Sequence, residues 1–111
     1  MENLKQRWAS ATDKLAPDFG TDLDLQSILF IIGLQELGFV KHKINKRQKL
    51  EVLHIAVCRL LSDYGFYEFE GYDNDKWPHY TRTKKLPQLK GGDQEKLLQE
   101  AAINYLEKVY D

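Results

Sequence analysis

The sequence predicts a mainly helical α+β domain, with four helices and a β-hairpin between the third and the fourth. Apolar residues recur every three or four positions over four segments, as on the buried face of a helix. Between residues 66 and 83 this spacing gives way to aromatic and β-branched residues around a polar turn, which is typical of a hairpin. A length of 111 residues with 42% apolar content suits one globular domain, residues 1–111.

The first and last helices each carry one apolar face. The first is predicted over residues 3–15, and Pro17 and Gly20 end it. Its apolar stripe consists of Leu4, Trp8, Ala11 and Leu15. The last is predicted over residues 93–109, with Asp93 as its N-cap. Its apolar side consists of Leu98, Ala101, Ala102, Tyr105, Leu106 and Val109.

The second helix is predicted over residues 22–37 and is apolar on all sides. Thr21, followed by Asp24 three residues later, resembles a capping box, and Gly38 is the expected C-terminal cap. Its core stripe consists of Leu25, Ile28, Leu29 and Ile32, and the opposite side carries Phe30, Ile31 and Leu34. Because a helix on the outside of a monomer does not expose such a surface, we expect this one to be central or shared with a second copy.

The third helix is predicted over residues 46–64. Asn45 and Gln48 have the spacing of a capping box, and Gly65 is placed to close the helix in a left-handed conformation. One broad apolar face is expected to be buried, and it consists of Leu50, Leu53, Val57, Leu60, Leu61 and Tyr64.

The hairpin is predicted from strands over residues 66–72 and 77–83. Pro78 has no N–H to donate, so the second strand should be an edge strand or carry a bulge there. Alternation places Tyr67 and Phe69 on the inner face of the first strand. Its outer face then carries the carboxylates, with Phe66, Glu68, Glu70 and Tyr72.

Composition argues against several classes of protein, among them basic nucleic-acid-binding proteins, membrane proteins and disulfide-bonded proteins. The net charge is −1, which gives no general attraction to nucleic acid or acidic membranes. The longest apolar run, residues 28–32, is far shorter than the roughly 20 residues that span a bilayer, and we expect no signal peptide. The single Cys58 excludes an internal disulfide and a zinc site of paired cysteines. We therefore expect a cytoplasmic protein without cofactors or membrane contacts.

Charge is arranged in blocks along the chain. Residues 41–50 and 76–90 each contain five bases and no acid, and the segments around them are acidic. Lysines at a helix N-terminus oppose the helix dipole, so stability does not explain the first block. This block indicates an acidic partner, and the acidic segments of a second copy are the nearest candidate.

Glu51, His54 and Cys58 lie at positions i, i+3 and i+7 of the third helix and therefore share one flank. They could bind a transition metal, or His54 could activate Cys58 as a nucleophile. A partly buried histidine beside a cysteine that packs as a small hydrophobe is the more common arrangement. We favour this structural interpretation and assign no catalytic or metal-binding residue.

Seven of the thirteen aromatic residues fall between Tyr64 and Tyr80. A two-stranded hairpin is stable only when one face packs on the helices, and some of these rings are expected to be buried there. The other face is then available to contact a partner. Exposed rings beside basic residues are typical of partner-binding surfaces. The expected partner contacts are Tyr72, Trp77, His79, Tyr80 and Arg82 on the hairpin, with Phe30, Ile31 and Leu34 on the second helix.

These features favour a small non-enzymatic protein that acts through protein contacts, as a homodimer or a subunit of a complex. The alternative is a ligand-binding or enzymatic domain with a pocket between the third helix and the hairpin. That pocket would contain His54 and Cys58, with His79 and Glu68 as further candidates. A nucleic-acid-binding module ranks third, because stacking sites usually lie in a positively charged groove.

Overall fold

The computed structural model describes residues 3–20, 23–38, 44–83 and 91–110. Over these ranges the chain forms five helices and one two-stranded antiparallel sheet. The elements are α1 (Leu4–Asp13), α2 (Ala16–Phe19), α3 (Leu25–Leu37), α4 (Lys46–Ser62), β1 (Tyr67–Tyr72), β2 (Pro78–Arg82) and α5 (Gly91–Tyr110). The predicted class is confirmed, although the described part has five helices rather than four. Within it, no helix combines the length and the apolar character needed to cross a bilayer.

The predicted first helix ends early, and a separate short helix follows it. Helix α1 begins with a capping box in which Asn3 accepts the backbone N–H of Gln6 at 2.8 Å. It ends at Asp13, and the short α2 begins at Ala16 with Pro17 in its first turn. A proline is tolerated in a first turn, where its missing N–H costs nothing, but not inside a continuing helix. The expectation of one helix over residues 3–15 was therefore wrong at its end.

Helix α3 begins at Leu25 instead of residue 22. Asp24 is itself the N-cap, and its Oδ1 accepts the backbone N–H of Ser27 at 2.8 Å. Hydrogen bonds from the backbone and the side chain of Ser27 lower the pKa of the Asp24 carboxyl. The predicted cap, Thr21, lies outside the described residues. At the other end Gly38 has a φ of 70°, so the predicted left-handed C-cap is confirmed.

The residues predicted to cap the two ends of α4 are confirmed. Asn45 accepts the Gln48 backbone N–H at 2.8 Å, and the Gln48 side chain accepts the Asn45 backbone N–H at 3.2 Å. Gly65 has a φ of 82°, as expected for the residue that closes this segment. Helix α5 starts at Gly91, so Asp93 lies in its first turn and is not the predicted N-cap. The carboxylate still lies near the positive end of the helix dipole.

Helix α4 lies at the centre of the packing, since it contacts α3, α5 and both strands, whereas α1 packs on α5. The main core joins α1, α3, α4 and α5, and its most deeply buried large side chains include Leu15, Ile28, Ile32, Leu60, Ile103 and Leu106. A second, smaller core consists of Leu37, Val52 and Ile55, against which Phe30, Leu34 and Trp77 pack. The buried side chains of the described residues are all apolar.

The second core changes the interpretation of the all-round apolar helix. Ile31, predicted as a partner contact, is only 9% exposed within the single chain and therefore offers a partner little surface. Phe30 and Leu34 are partly buried against the second core, and Lys49 lies 5.7 Å above the Phe30 ring. Because α4 and the hairpin cover this side of α3, a second copy is not needed to bury it.

A polar network on one side of the domain connects three helices. The Tyr105 hydroxyl of α5 donates to Glu36 Oε2 of α3 at 2.7 Å. Arg59 of α4 lies 3.3 Å from Glu36 Oε1, 3.0 Å from Asp63 Oδ1, and 5.4 Å above the Tyr105 ring. These contacts connect α3 and α5 to α4 at the edge of the apolar core.

The hairpin contains a bulge, but on the first strand. Phe69 pairs with Tyr80, whereas Gly71 pairs with His79, so an extra residue is inserted into β1 at Glu70. Gly71 has a φ of 118°, a value that favours glycine. The bulge reverses the alternation after Glu70, and the prediction that Tyr72 shares the carboxylate face was therefore wrong. Pro78 lies on an edge strand, as expected, since the sheet of the described residues has two strands.

Lys76 in the hairpin turn adopts a left-handed conformation with a φ of 66°. The turn is closed by Asp73, whose carbonyl accepts the Lys76 N–H and whose Oδ1 accepts the N–H of both Asp75 and Trp77. Non-glycine residues pay a steric cost in this conformation.

We expect Lys76→Gly to stabilise the domain by about 0.5–1 kcal/mol, because relief of this cost exceeds the entropy that glycine adds to the unfolded chain. Urea unfolding of Lys76→Gly and Lys76→Ala measures the effect, and Lys76→Ala should give no stabilisation. Equal stability of the two variants would show that the left-handed residue carries no cost.

Candidate interaction site at the hairpin

Three aromatic rings form a cluster on one face of the hairpin. Phe69 and Tyr72 are 48% and 65% exposed, and their ring centroids lie 5.2 Å apart in an edge contact. The Phe69 ring also meets Tyr80, its cross-strand partner, at 5.5 Å. We call Phe69, Tyr72 and Tyr80 the aromatic cluster. The bulge creates it, since unbroken alternation would place Phe69 and Tyr72 on opposite faces.

A groove of about 990 Å³ runs between β2 and α4. On the α4 side it is lined by Arg47, Leu50, Glu51, His54 and Cys58, among others, which form one stripe of the helix. On the hairpin side it is lined by Asp73, Asp75 and residues 77–80. Pro78 and Tyr80 project from one face of β2 and His79 from the other, so the groove follows the edge of the strand.

The predicted hairpin contacts divide into two groups. Tyr72, His79 and Arg82 are exposed. Trp77 and Tyr80 are only partly exposed, and Trp77 packs against the second core. Burial, together with the negative charge of Glu36, raises the pKa of Tyr80 to about 12, so its hydroxyl stays protonated at neutral pH. Trp77 and Tyr80 therefore support the hairpin as well as line the groove.

Two exposed apolar residues were missed as contact candidates. Phe69 was assigned to the inner face, and Leu50 to the buried face of the third helix. Leu50 is 68% exposed and lines the groove. The sequence signal that points to Phe69 is Gly71, because a glycine inside a strand often marks a bulge.

His79 is held by the turn that precedes its strand. Its Nε2 lies 2.8 Å from Asp73 Oδ2, while the other oxygen of this carboxylate accepts the two backbone N–H groups of the turn. The bonds from His79 and from the Trp77 N–H lower the pKa of Asp73. Asp73 thus connects the conformation of the turn to the orientation of the His79 ring at the groove.

His54 and Cys58 also meet at the groove. Cys58 Sγ lies 3.5 Å from His54 Nε2, and the cysteine is 1% exposed whereas the histidine is exposed. Burial raises the pKa of the Cys58 thiol to about 11. A thiol with this pKa is protonated at neutral pH and is a poor nucleophile. This geometry agrees with the structural interpretation of the pair.

We expect Cys58 to react slowly with a thiol reagent at neutral pH in the native protein. Its reaction should accelerate strongly in urea, which exposes the side chain and restores an ordinary thiol pKa. His54→Ala should leave the slow native rate unchanged or raise it by opening access. Rapid native labelling that His54→Ala abolishes would instead indicate a thiolate activated by His54.

The remaining candidates do not complete a chemical site. Glu51 lies 3.9 Å from Arg47, its neighbour one turn away, and Glu68 is absent from the residues that line the groove. Over the four described ranges no three His, Cys, Asp or Glu side chains are placed to hold a metal ion. In the basic block, Lys46, Arg47 and Lys49 are exposed at the start of α4, while Lys41 and Lys43 lie outside the described residues.

Comparison with known proteins adds no relative: no family model matches the chain, and neither a curated protein nor a solved structure shows significant similarity to it.

Proposed function

We propose that the protein acts through protein–protein contacts as a homodimer, and that the hairpin provides its contact surface. The observation that carries this proposal is the exposure of Phe69 and Tyr72 in a cluster held by a two-stranded sheet. Exposed aromatic rings surrounded by polar residues are characteristic of interaction surfaces. The single buried thiol agrees with a reducing compartment, and the proposal places the protein in the cytoplasm.

The distribution of charge supports a second copy as the partner. The exposed acids of the hairpin include Glu68, Glu70 and Asp75, whereas the first turn of α4 carries exposed Lys46 and Arg47. These acids lie on β1 and in the turn, not on β2, so in a two-fold symmetric dimer they can meet the basic end of the other copy's α4 while β2 brings no negative charge. Such complementary surfaces favour association and select its orientation.

Sedimentation velocity over a hundredfold range of concentration tests the proposal. We expect a monomer–dimer equilibrium that Phe69→Ser weakens. Phe19→Ser is the matched control, because Phe19 of α2 is 47% exposed, as Phe69 is 48%, but lies outside the hairpin. Thermal unfolding of both variants shows that each is folded. A wild-type monomer at every concentration, or an equal effect of the two substitutions, would contradict the proposal.

The second candidate function is ligand binding in the groove. It is favoured by one observation, that His54, Cys58 and His79 line the same groove as the alternative hypothesis expects. The raised pKa of Cys58 argues against nucleophilic catalysis there. Nucleic-acid binding receives no comparable support, since exposed Glu68 and Glu70 stand on the strand that carries the aromatic cluster.

A further inference from the structure

We infer that two copies pair through the outer edges of their β2 strands, antiparallel and centred on Tyr80, to form one four-stranded sheet. This inference rests on the proposed self-association and specifies its interface. An open strand edge presents unpaired backbone groups to another strand, and in the described part of the chain β2 pairs only with β1.

The hydrogen bonds at the two ends of the hairpin determine which residues of β2 point outward. Thr83 N donates to Phe66 O at 3.0 Å, and Asp73 N donates to Trp77 O at 3.0 Å. Backbone groups alternate in direction along an antiparallel strand, so residues 77, 79, 81 and 83 face β1. The N–H and C=O of Tyr80 therefore point away from the hairpin, at the centre of the strand.

The groove provides the space for a further strand. It follows the outer edge of β2, and none of the residues that line it belongs to β1. A strand added there would lie about 4.8 Å from β2. It would then face the α4 stripe that contains Leu50 and His54, so the exposed Leu50 side chain would be covered.

Pairing centred on Tyr80 is self-complementary. The two Tyr80 residues exchange both of their N–H···O bonds across the two-fold axis. A pairing centred on Pro78 would lack both N–H donors. With Tyr80 at the centre, the existing contact of Phe69 with Tyr80 extends into a row of four rings across the sheet, which cross-strand aromatic pairs stabilise.

Charge favours a second copy over an acidic peptide in this groove. The groove is lined by three carboxylates, Glu51, Asp73 and Asp75, against the single guanidinium of Arg47. Strand β2 carries no acidic residue and ends in Arg82. An entering β2 strand therefore brings positive charge to an acidic groove, whereas an acidic segment would be repelled.

Cysteine cross-linking tests the register. His79 of one copy would lie opposite Thr81 of the other at a non-hydrogen-bonded position, where Cα atoms are about 4.5 Å apart and a disulfide can form. Mixing the His79→Cys and Thr81→Cys variants under mild oxidation should give a disulfide-linked heterodimer faster than either variant alone. The control mixture pairs His79→Cys with Glu68→Cys, which places the second thiol at an exposed position on β1, and this mixture should react slowly.

Charge substitution at the same pair provides a second measurement. In the proposed dimer, position 79 of each copy lies opposite position 81 of the other, so this pair occurs twice. The double variant His79→Glu, Thr81→Glu places two negative charges opposite each other at both pairs, and should raise the dimer dissociation constant about tenfold or more. His79→Lys with Thr81→Glu keeps two perturbed positions but makes the pairs attractive, and should retain the wild-type constant. If wild type dimerises without the selective cross-link and both double variants behave alike, the register is wrong while self-association stands. A monomeric wild type overturns both proposals.

Discussion

Replacing Gly33 by alanine is expected to destabilise the domain by about 2–4 kcal/mol, although alanine is the better helix former by about 1 kcal/mol. Gly33 lies inside α3 and faces the backbone of α4 at Val52. A Cβ atom at this position would overlap the backbone carbonyl oxygen of Val52 and lie 2.6 Å from its Cγ1 atom. Since part of this obstruction is backbone, a rotamer change does not relieve it, and the two helices must separate.

Equilibrium unfolding in urea measures this effect, and the chain offers a matched control. Gly92 also lies in a helix, but a Cβ added there meets nothing within 4 Å. We expect Gly92→Ala to be neutral or slightly stabilising. Combining Gly33→Ala with Val52→Ala should cost less than the sum of the two single variants, because the second change removes the side-chain part of the overlap. Equal effects of Gly33→Ala and Gly92→Ala would disprove the close helix contact.

The same contact shows what the sequence could and could not predict about the fold. Signals carried within a few residues were sufficient: Asn45 with Gln48 identified the start of α4, and Gly38 the end of α3. Gly33 gave no local signal, because its role depends on Val52, which is nineteen positions away. The start of α2 was predictable in principle, because Pro17 lies in its first turn and proline is favoured at that position.

The candidate site was predictable in its components but not in its arrangement. Aromatic density identified the hairpin, and helical periodicity placed His54 beside Cys58. The bulge at Glu70 could not be located from alternation, which assumes an unbroken ladder, and so the pairing of Phe69 with Tyr72 was missed. Whether a ring is buried depends on the helix beneath it. Trp77 packs against the second core, whereas Tyr72 is exposed, and the hairpin sequence does not distinguish the two.

Because Trp77 packs against a core and Tyr72 does not, we expect a large loss of stability when Trp77 is removed. Trp77→Ala should destabilise the domain by about 2–3 kcal/mol, less than for a fully buried tryptophan, because Trp77 is partly exposed. The indole packs against the second core of Leu37, Val52 and Ile55, and its removal exposes these side chains and loosens the hairpin from α4. Tyr72→Ala, by contrast, removes a ring that is 65% exposed and should change stability by no more than about 0.5–1 kcal/mol.

Trp77→Ala should mainly lower the free energy of unfolding, whereas Tyr72→Ala should mainly weaken dimerisation. In urea, Trp77→Ala should shift the midpoint far more than Tyr72→Ala. At concentrations of denaturant well below either midpoint, Tyr72→Ala should be folded as wild type is, so any loss of its dimerisation reports the contact surface itself. If Tyr72→Ala instead unfolds the domain as readily as Trp77→Ala, the ring belongs to the core, and the contact surface must be sought at the basic start of α4, where Lys46, Arg47 and Lys49 are exposed.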